Sequence, residues 1–281
     1  MTALDIVEPT KLVDGVVYRY LDAGQLENCL EVFRGADVVF NLAAKVAGVQ
    51  YNQSHNLKML YDNLPLQVTP VLAAEQLTIP YFLQVSSVCV YADEETAPCN
   101  DNLEVTTMKP PNWANYGYAM SKRMGEIAVE QAKLNTWVVA RPTNIYGPGD
   151  DFGPNGHVIP ALIKKSIQLD EPVVNGTGQE EREFIYVGDV AKAFIHLIEQ
   201  GDNGTYNIGT NGRTKTSIKN LMGMVQDVTN TQNKAVLYRP RFQSGDAVRY
   251  TDSTKLESTG FRAKTTLREG LSKTVSWWRG L

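Results

Sequence analysis

Short apolar runs alternate along this chain with longer stretches whose apolar residues recur every three or four positions. Val16-Val17-Tyr18-Arg19-Tyr20-Leu21 reads as a strand, Leu26–Phe33 as an amphipathic helix, and Asp37-Val38-Val39-Phe40-Asn41-Leu42 as the next strand. A helical pattern then runs from about Ser54 to Gln76, with Pro65 placed to start its second half and Pro70 expected to kink or break it. Tyr81–Val90 reads as a strand, the region around Tyr116–Leu134 as a helix, and Thr136–Pro142 as a strand. Strands regularly separated by helices predict an α/β fold with a mostly parallel sheet and helices on both faces.

The regularity falls after residue 146. Gly147, Pro148, Gly149, Gly153, Pro154, Gly156 and Pro160 crowd one stretch, which predicts a loop. Shorter elements follow: a strand and helix over 184–200, GTYNIG at 204–209, a helix near 217–229 and a terminal helix over 267–279. The pattern predicts a first domain over residues 1–146, to which 184–209 returns, and a smaller α/β domain over 147–281. Ligands of open α/β sheets bind beyond the C-terminal ends of the strands, so the second unit is expected there.

Composition narrows the function. A net charge of −4 carries no electrostatic footprint for nucleic acid or an anionic membrane. No apolar stretch approaches the roughly 18 residues of a membrane span, and the N-terminus lacks the pattern of a signal peptide. Cys29, Cys89 and Cys99 have no metal-type spacing, and an odd count argues against a disulfide framework, so a reducing cytoplasm is expected.

One strand ends in a way that packing does not explain. Residues 85–91 read VSSVCVY, two hydroxyls and a thiol at the mouth of a buried run. Two other segments share its character. Asn41-Leu42-Ala43-Ala44 places small residues at a strand end, where a ligand can approach the backbone. Tyr118-Ala119-Met120-Ser121-Lys122 sets a tyrosine and a lysine one turn apart on one helical face. A free tyrosine titrates near pH 10, so a phenolate base near neutrality requires about 4 kcal/mol of differential stabilisation, which a neighbouring ammonium and a cationic nicotinamide both favour. Such Tyr–Lys pairs also arise by chance. The weight lies in the ordered set, completed by Arg141-Pro142-Thr143-Asn144-Ile145-Tyr146-Gly147-Pro148.

That ordered set resembles the extended short-chain dehydrogenase/reductases, which include nucleotide-sugar epimerases, dehydratases and reductases. The likeness extends through Arg182–Val190 and Tyr206–Gly209. It implies a Rossmann-like sheet, NAD as cofactor, a nucleotide-diphosphate sugar as substrate, and Ser87, Tyr118 and Lys122 as a catalytic triad. It further implies cofactor contacts from Leu42, Ala43, Ala44, Lys45, Asn63, Val85, Ser86, Tyr118, Lys122, Pro142, Asn144 and Ile145. Substrate contacts are implied for Ser87, Val88, Asn144, Val158, Lys165, Arg182 and Arg249, with arginine suited to bidentate recognition of phosphate. The resemblance also implies a homodimer through helices near 64–76 and 116–134, with Val68, Val71 and Leu72 on one face.

Within that family, 4,6-dehydratases carry acidic residues after the catalytic hydroxyl, where this chain has Val88 and Cys89. A cysteine there resembles the GDP-L-fucose synthase and GDP-mannose 3,5-epimerase group, which invert carbons 3 and 5 of a 4-keto sugar. Gly156-His157-Val158-Ile159-Pro160-Ala161-Leu162 resembles the segment that supplies the second proton carrier in that group. Cys89 and His157 are thereby implied as the acid–base pair and a GDP-sugar is favoured. His55 and His196 are read as structural.

The dinucleotide fold normally opens with a strand and a glycine-rich turn that holds the pyrophosphate at a helix N-terminus. No such turn precedes residue 40. The family comparison makes Thr2-Ala3-Leu4-Asp5 the second strand, with Asp5 on the adenosine ribose and Asp22 near adenine; a carboxylate at Asp5 favours NAD over NADP. The expectation is that about 25–30 residues of the family fold are lacking, that the second and fourth family strands must pair directly or part, and that this form binds NAD weakly. The resemblance thus implies an NAD(P)-dependent nucleotide-sugar epimerase or epimerase/reductase acting through a 4-keto sugar. Two alternatives stand beside it: a plain nucleotide-sugar 4-epimerase, and a non-catalytic nucleotide-sugar-binding protein.

Overall fold

The computed structural model describes residues 1–9, 11–91, 98–100, 115–154, 156–240 and 247–280. Strands β1 (Thr2–Asp5) and β2 (Val17–Tyr20) precede helix α1 (Leu26–Phe33) and strand β3 (Val38–Asn41). Next come α2 (Val49–Ser54), α3 (Asn56–Gln76), β4 (Tyr81–Val85), β5 (Cys99–Asn100), α4 (Tyr116–Gln131), β6 (Thr136–Pro142) and β7 (Asn144–Tyr146). The chain continues through α5 (Val158–Gln168), β8 (Val173–Asn175), β9 (Glu181–Arg182), β10 (Phe184–Tyr186), α6 (Val187–Gln200) and β11 (Gly204–Ile208). It closes with β12 (Thr216–Ser217), α7 (Ile218–Thr229), β13 (Leu237–Arg239), β14 (Val248–Arg249), β15 (Thr251–Asp252), α8 (Thr254–Ser258) and α9 (Leu267–Arg279).

A four-stranded parallel sheet in the order β11-β6-β4-β3 forms the centre. Side chains alternate between its faces, and the alternation sorts the core. Leu83, Val138, Ala140 and Ile208 face α6 and pack on Val190, Ala193 and Leu197. Phe82 and Val139 face the opposite way, onto α1, α3 and α4, among Cys29, Phe33, Ala74 and Val129. By the same period Gln84 and Arg141 share that second face, at the C-terminal ends of their strands. The inner layer is therefore apolar at one end and polar at the end nearer the site. Beyond it, α5, α7 and α9 enclose a separate core with Tyr146, Phe184 and Val174.

Three expectations change. The long helical region is interrupted at His55, and α3 runs unbroken through Pro65 and Pro70. Proline removes the amide that would meet the carbonyl four residues back. For Pro70 that carbonyl belongs to Leu66, and Asn41 Nδ2 supplies the missing donor at 2.9 Å. The strand expected over Tyr81–Val90 ends at Val85, because Ser87 Oγ accepts from the Cys89 amide at 3.1 Å and caps a 3₁₀ turn over Val88–Val90. Val71 is 2% exposed within the inner core, so it does not share an outer face with Val68 and Leu72.

Strands β1 and β2 form their own parallel pair, Thr2 opposite Val17. Among the described residues neither pairs with β3; the sheet is parted there. Leu4 nevertheless packs against the inner core.

Candidate active site

Helix α4 lies so close to α3 and β4 that a Cβ on Gly125 would stand 2.9 Å from Gln67 Cβ and 3.0 Å from Gln84 Nε2. This approach sets Lys122, 1% exposed, against the end of β4. Its ammonium donates to Val85 O at 2.7 Å and Gln67 Oε1 at 3.1 Å, both neutral acceptors. Gln67 in turn accepts from Gln84 Nε2 at 2.7 Å and donates to Ala43 O at 2.9 Å, while Asn41 donates to Gln84 Oε1 at 2.9 Å. A chain of buried amides thus ties the lysine to the small-residue end of β3. Each amide is dry and each finds partners, as burial demands.

A second network fixes the serines. Glu126, four residues after Lys122, is fully buried and takes a bidentate pair from Arg141, Nε and Nη2 each at 2.8 Å. Ser86 Oγ donates to the same carboxylate at 2.5 Å, and Arg123 adds a contact at 2.9 Å. Arg141 continues to the Tyr91 hydroxyl at 3.1 Å, which donates to Asn207 Oδ1 at 2.8 Å. The two serines of VSSVCVY therefore part company: Ser86 braces the strand end and Ser87 caps the 3₁₀ turn, while both border the cavity.

That cavity has a volume of about 930 Å³. It brings together Ser87, Cys89, Tyr118, Lys122 and His157, which lie on β4's end, α4 and the start of α5. Its walls include Leu42, Ala44, Val85, Ser86, Pro142, Asn144 and Ile145 on one side, and Val88, Val158, Lys165, Arg182 and Arg249 on the other. Asn144 Nδ2 donates to Glu183 O at 2.7 Å, and Lys165 Nζ to Val173 O at 3.0 Å. Burial, aided by the nearby Arg239, pulls the Lys165 ammonium's pKa down.

Five expected contacts do not join this lining. Asp5 accepts from the Val7 amide and Asp22 from the Gly24 amide, both at the parted β1–β2 side. Lys45 pairs with Asp62 at 2.5 Å, Asn63 braces the Lys45 backbone through its amide, and Ala43 presents its carbonyl to Gln67. Ala43 and Lys45 flank the lining residue Ala44, whereas Asp5 and Asp22 hold local turns away from the cavity wall.

Electrostatics also differ from expectation. Burial raises the Tyr118 hydroxyl well above the ordinary tyrosine value; a nearby Cys89 adds to this and the Ser87 hydroxyl opposes it. Burial lowers Lys122 to about 7, against the attraction of Glu126 and Cys89. Desolvation outweighs pairing, so burial drives both groups toward their neutral forms.

The Epimerase model, the NAD dependent epimerase/dehydratase family, matches residues 7–209. The chain belongs to this family. The GDP-L-fucose synthase 1 of Arabidopsis thaliana is 30% identical over 245 residues, covering 84% of this chain and 75% of that protein. The GDP-L-fucose synthase of Escherichia coli K12 is 28% identical over 262 residues, 86% of this chain and 80% of its own. Among solved structures, the Thermotoga maritima UDP-glucose 4-epimerase, determined with UDP-glucose, superposes with a TM-score of 0.86 at 23% identity, covering 99% of this chain and 90% of that one.

The family is NAD-dependent, and the residues around Lys122 are of a kind that would fit a nicotinamide. Lys122, buried with neutral acceptors only, borders a cavity walled by Tyr118, Ser86, Pro142 and Ile145. Among the described residues, no glycine-rich strand-to-helix turn adjoins β1 and β2 to supply a pyrophosphate cradle. No group of three or more His, Cys, Asp or Glu capable of holding a metal occurs among them either.

The amide chain Asn41–Gln84–Gln67, the Glu126–Arg141 pair and Asp150 escaped the sequence reading. A polar residue inside an apolar run was the available signal: Gln84 interrupts YFLQV, and Arg141 ends a strand otherwise apolar from Trp137 to Ala140. Glu126 sits one turn beyond Lys122 on the same face.

Proposed function

We propose that this protein is a nucleotide-sugar epimerase acting through a 4-keto sugar, with GDP-linked hexoses as its substrates. The observation that carries this reading is the convergence of Ser87, Tyr118 and Lys122 with Cys89 and His157 around one cavity. Ser87 positions the C4 hydroxyl and Tyr118 carries that hydroxyl's proton. Lys122, with a pKa of about 7, is still partly protonated near neutrality and stands one turn away as an adjacent positive charge and proton reserve. Residues Ser86, Pro142 and Ile145 beside Tyr118 and Lys122 would hold the nicotinamide of NAD, which would supply the hydride acceptor and donor. Arg182, Arg249 and Lys165 offer cationic groups for a diphosphate at the far side of the cavity. A carbonyl at C4 acidifies the neighbouring carbons, and Cys89 with His157 provides two proton carriers for exchange there.

The test is turnover of a GDP-linked hexose, its C4 hydroxyl intact, with NAD in D₂O. Deuterium is expected at carbon 3 or 5, and Cys89→Ser is expected to suppress its entry by at least about 10²-fold, within the roughly 10²–10⁴-fold range of general acid–base catalysis. Product free of deuterium at both carbons would support a plain 4-epimerase. Failure to turn over any nucleotide sugar while binding one would support a non-catalytic binder.

The proposal extends to a homodimer in the cytoplasm. No helix among the described residues is long and apolar enough to cross a membrane. Leu57, Tyr61, Leu64, Val68 and Leu72 form an outward apolar stripe on α3, with Tyr61 77% exposed. Light scattering at micromolar concentration should give twice the chain mass, and Val68→Glu should give the monomer. A monomeric wild type would remove the dimer from the proposal.

A further inference from the structure

Strand β7 ends at Tyr146 in a tight turn: the Asp150 amide donates to Gly147 O at 3.3 Å, and Gly149 adopts φ +90°, a conformation that side-chain-bearing residues rarely take. The turn sends the Asp150 carboxyl inward, where it borders the cavity. Oδ1 accepts from the Asp151 amide at 2.9 Å. Oδ2 is buried and has no hydrogen-bond partner. A carboxylate oxygen kept from water without a donor is costly, so this one calls for a donor.

The nearest cationic candidate is His157, whose Nδ1 stands 4.0 Å from Asp150 Oδ1. His157 occupies the N-cap position of α5 with no capping bond from its side chain, and its ring also borders the cavity. The positive end of the α5 dipole disfavours a cation at that place, and a facing carboxylate counters it. The other charged groups on these elements are engaged: Asp151 Oδ1 accepts from the Gly153 amide at 2.6 Å and Lys164 donates to Phe152 O at 2.9 Å. Burial raises the Asp150 pKa, and His157 is the group that opposes the rise most.

We propose that Asp150 is the positioning residue for His157. Its carboxylate accepts the imidazole Nδ1 proton: a turn of the carboxyl presents the unpartnered Oδ2, and the ring moves in from the 4.0 Å at which it stands from Oδ1 to hydrogen-bond distance, about 3 Å. The ring is then held as the Nδ1–H tautomer, and Nε2 is the nitrogen that exchanges a proton with the sugar. In the protonating step the Nε2–H bond of the imidazolium breaks as a C–H bond forms on the enolate carbon. The enolate becomes the ketone, and the imidazole left behind is neutral with its proton on the Asp150 side. The catalytic part of this inference rests on the proposed role of His157.

The experiment uses the full chain labelled with ¹⁵N-histidine. The protein has three histidines, and His157→Asn identifies the relevant signal by its disappearance. Neutral His157 should show the Nδ1–H tautomer in the wild type, revert toward Nε2–H in Asp150→Asn, and recover in Asp150→Glu. With a GDP-linked 4-keto-6-deoxyhexose in D₂O, Asp150→Asn should slow deuterium entry about 10- to 100-fold in kcat with little change in KM, less than the roughly 10²–10⁴-fold expected for His157→Asn. In the His157→Asn background it should cost nothing further. An Nε2–H tautomer in the wild type would overturn the pairing without any variant needing to fold. So would unchanged exchange in Asp150→Asn beside a large loss in His157→Asn. If His157→Asn itself leaves exchange intact, the functional reading of His157 fails, and the tautomer spectra alone decide the pairing.

Discussion

Tyr118→Phe should lower turnover by at least about 10³-fold while changing nucleotide-sugar affinity by less than about threefold, since it removes a proton carrier and little contact area. The reasoning combines position and electrostatics. Tyr118 lies one turn before Lys122 on α4, and Lys122 is locked by Val85 O and Gln67 Oε1, so the phenol faces the cavity from a rigid base. Burial makes its proton hard to remove in the ligand-free site. No neighbouring water-exposed group can take over a role that depends on a desolvated hydroxyl. Steady-state kinetics with the substrate, and calorimetric titration with its nucleotide, separate the two quantities. Normal turnover by the phenylalanine variant would refute the proposed mechanism.

Glu126→Ala should destabilise the protein by about 3–5 kcal/mol, the range seen when one partner of a buried ion pair is removed. Arg141 would remain buried with a guanidinium that has lost its bidentate carboxylate. Ser86 and Arg123 would each lose an acceptor as well. Against a typical domain stability of about 5–15 kcal/mol, such a loss is severe. Denaturant titration should show a lower midpoint with an unchanged slope. A change below about 1 kcal/mol would mean that water or another acceptor reaches Arg141, and that the network is not what holds the end of β4.

Much of the site was legible because helical geometry is local. A tyrosine and a lysine four apart share a face in any helix, so their partnership needed no tertiary information. The two serines looked equivalent in sequence; β4 ends just before them at Val85, and the chain turns one inward to Glu126, the other to the 3₁₀ cap. Pro70 was expected to break a helix, yet an asparagine on a neighbouring strand met the orphaned carbonyl. Propensity describes the isolated segment, and a partner contributed from 25 residues away can override it. Val71 was placed on one face with Val68 and Leu72, yet it is 2% exposed in the inner core. At 3.6 residues per turn it stands about 60° from Val68 and about 100° from Leu72, enough to cross from the outer stripe to the buried side.

The sequence by itself determined the α/β alternation, the order of strand ends and helices that carry hydroxyl, phenol, amine and thiol, and the family to which that order belongs. The alternation and the order follow from periodicity and spacing along one chain, where neighbours in sequence are neighbours in space; the family follows from the resemblance of the ordered motifs. The tertiary structure alone decided which buried polar groups are paired. Asn41, Gln67 and Gln84, like Glu126 and Arg141, come from separate elements, and nothing in their spacing announces that they meet. It also decided that desolvation outweighs the Ser87 hydrogen bond at Tyr118 and the attraction of Glu126 and Cys89 at Lys122, and that Asp150 faces His157 across the loop after β7. Dielectric environment and long-range contact belong to the packed state, because both depend on which surfaces the fold removes from water.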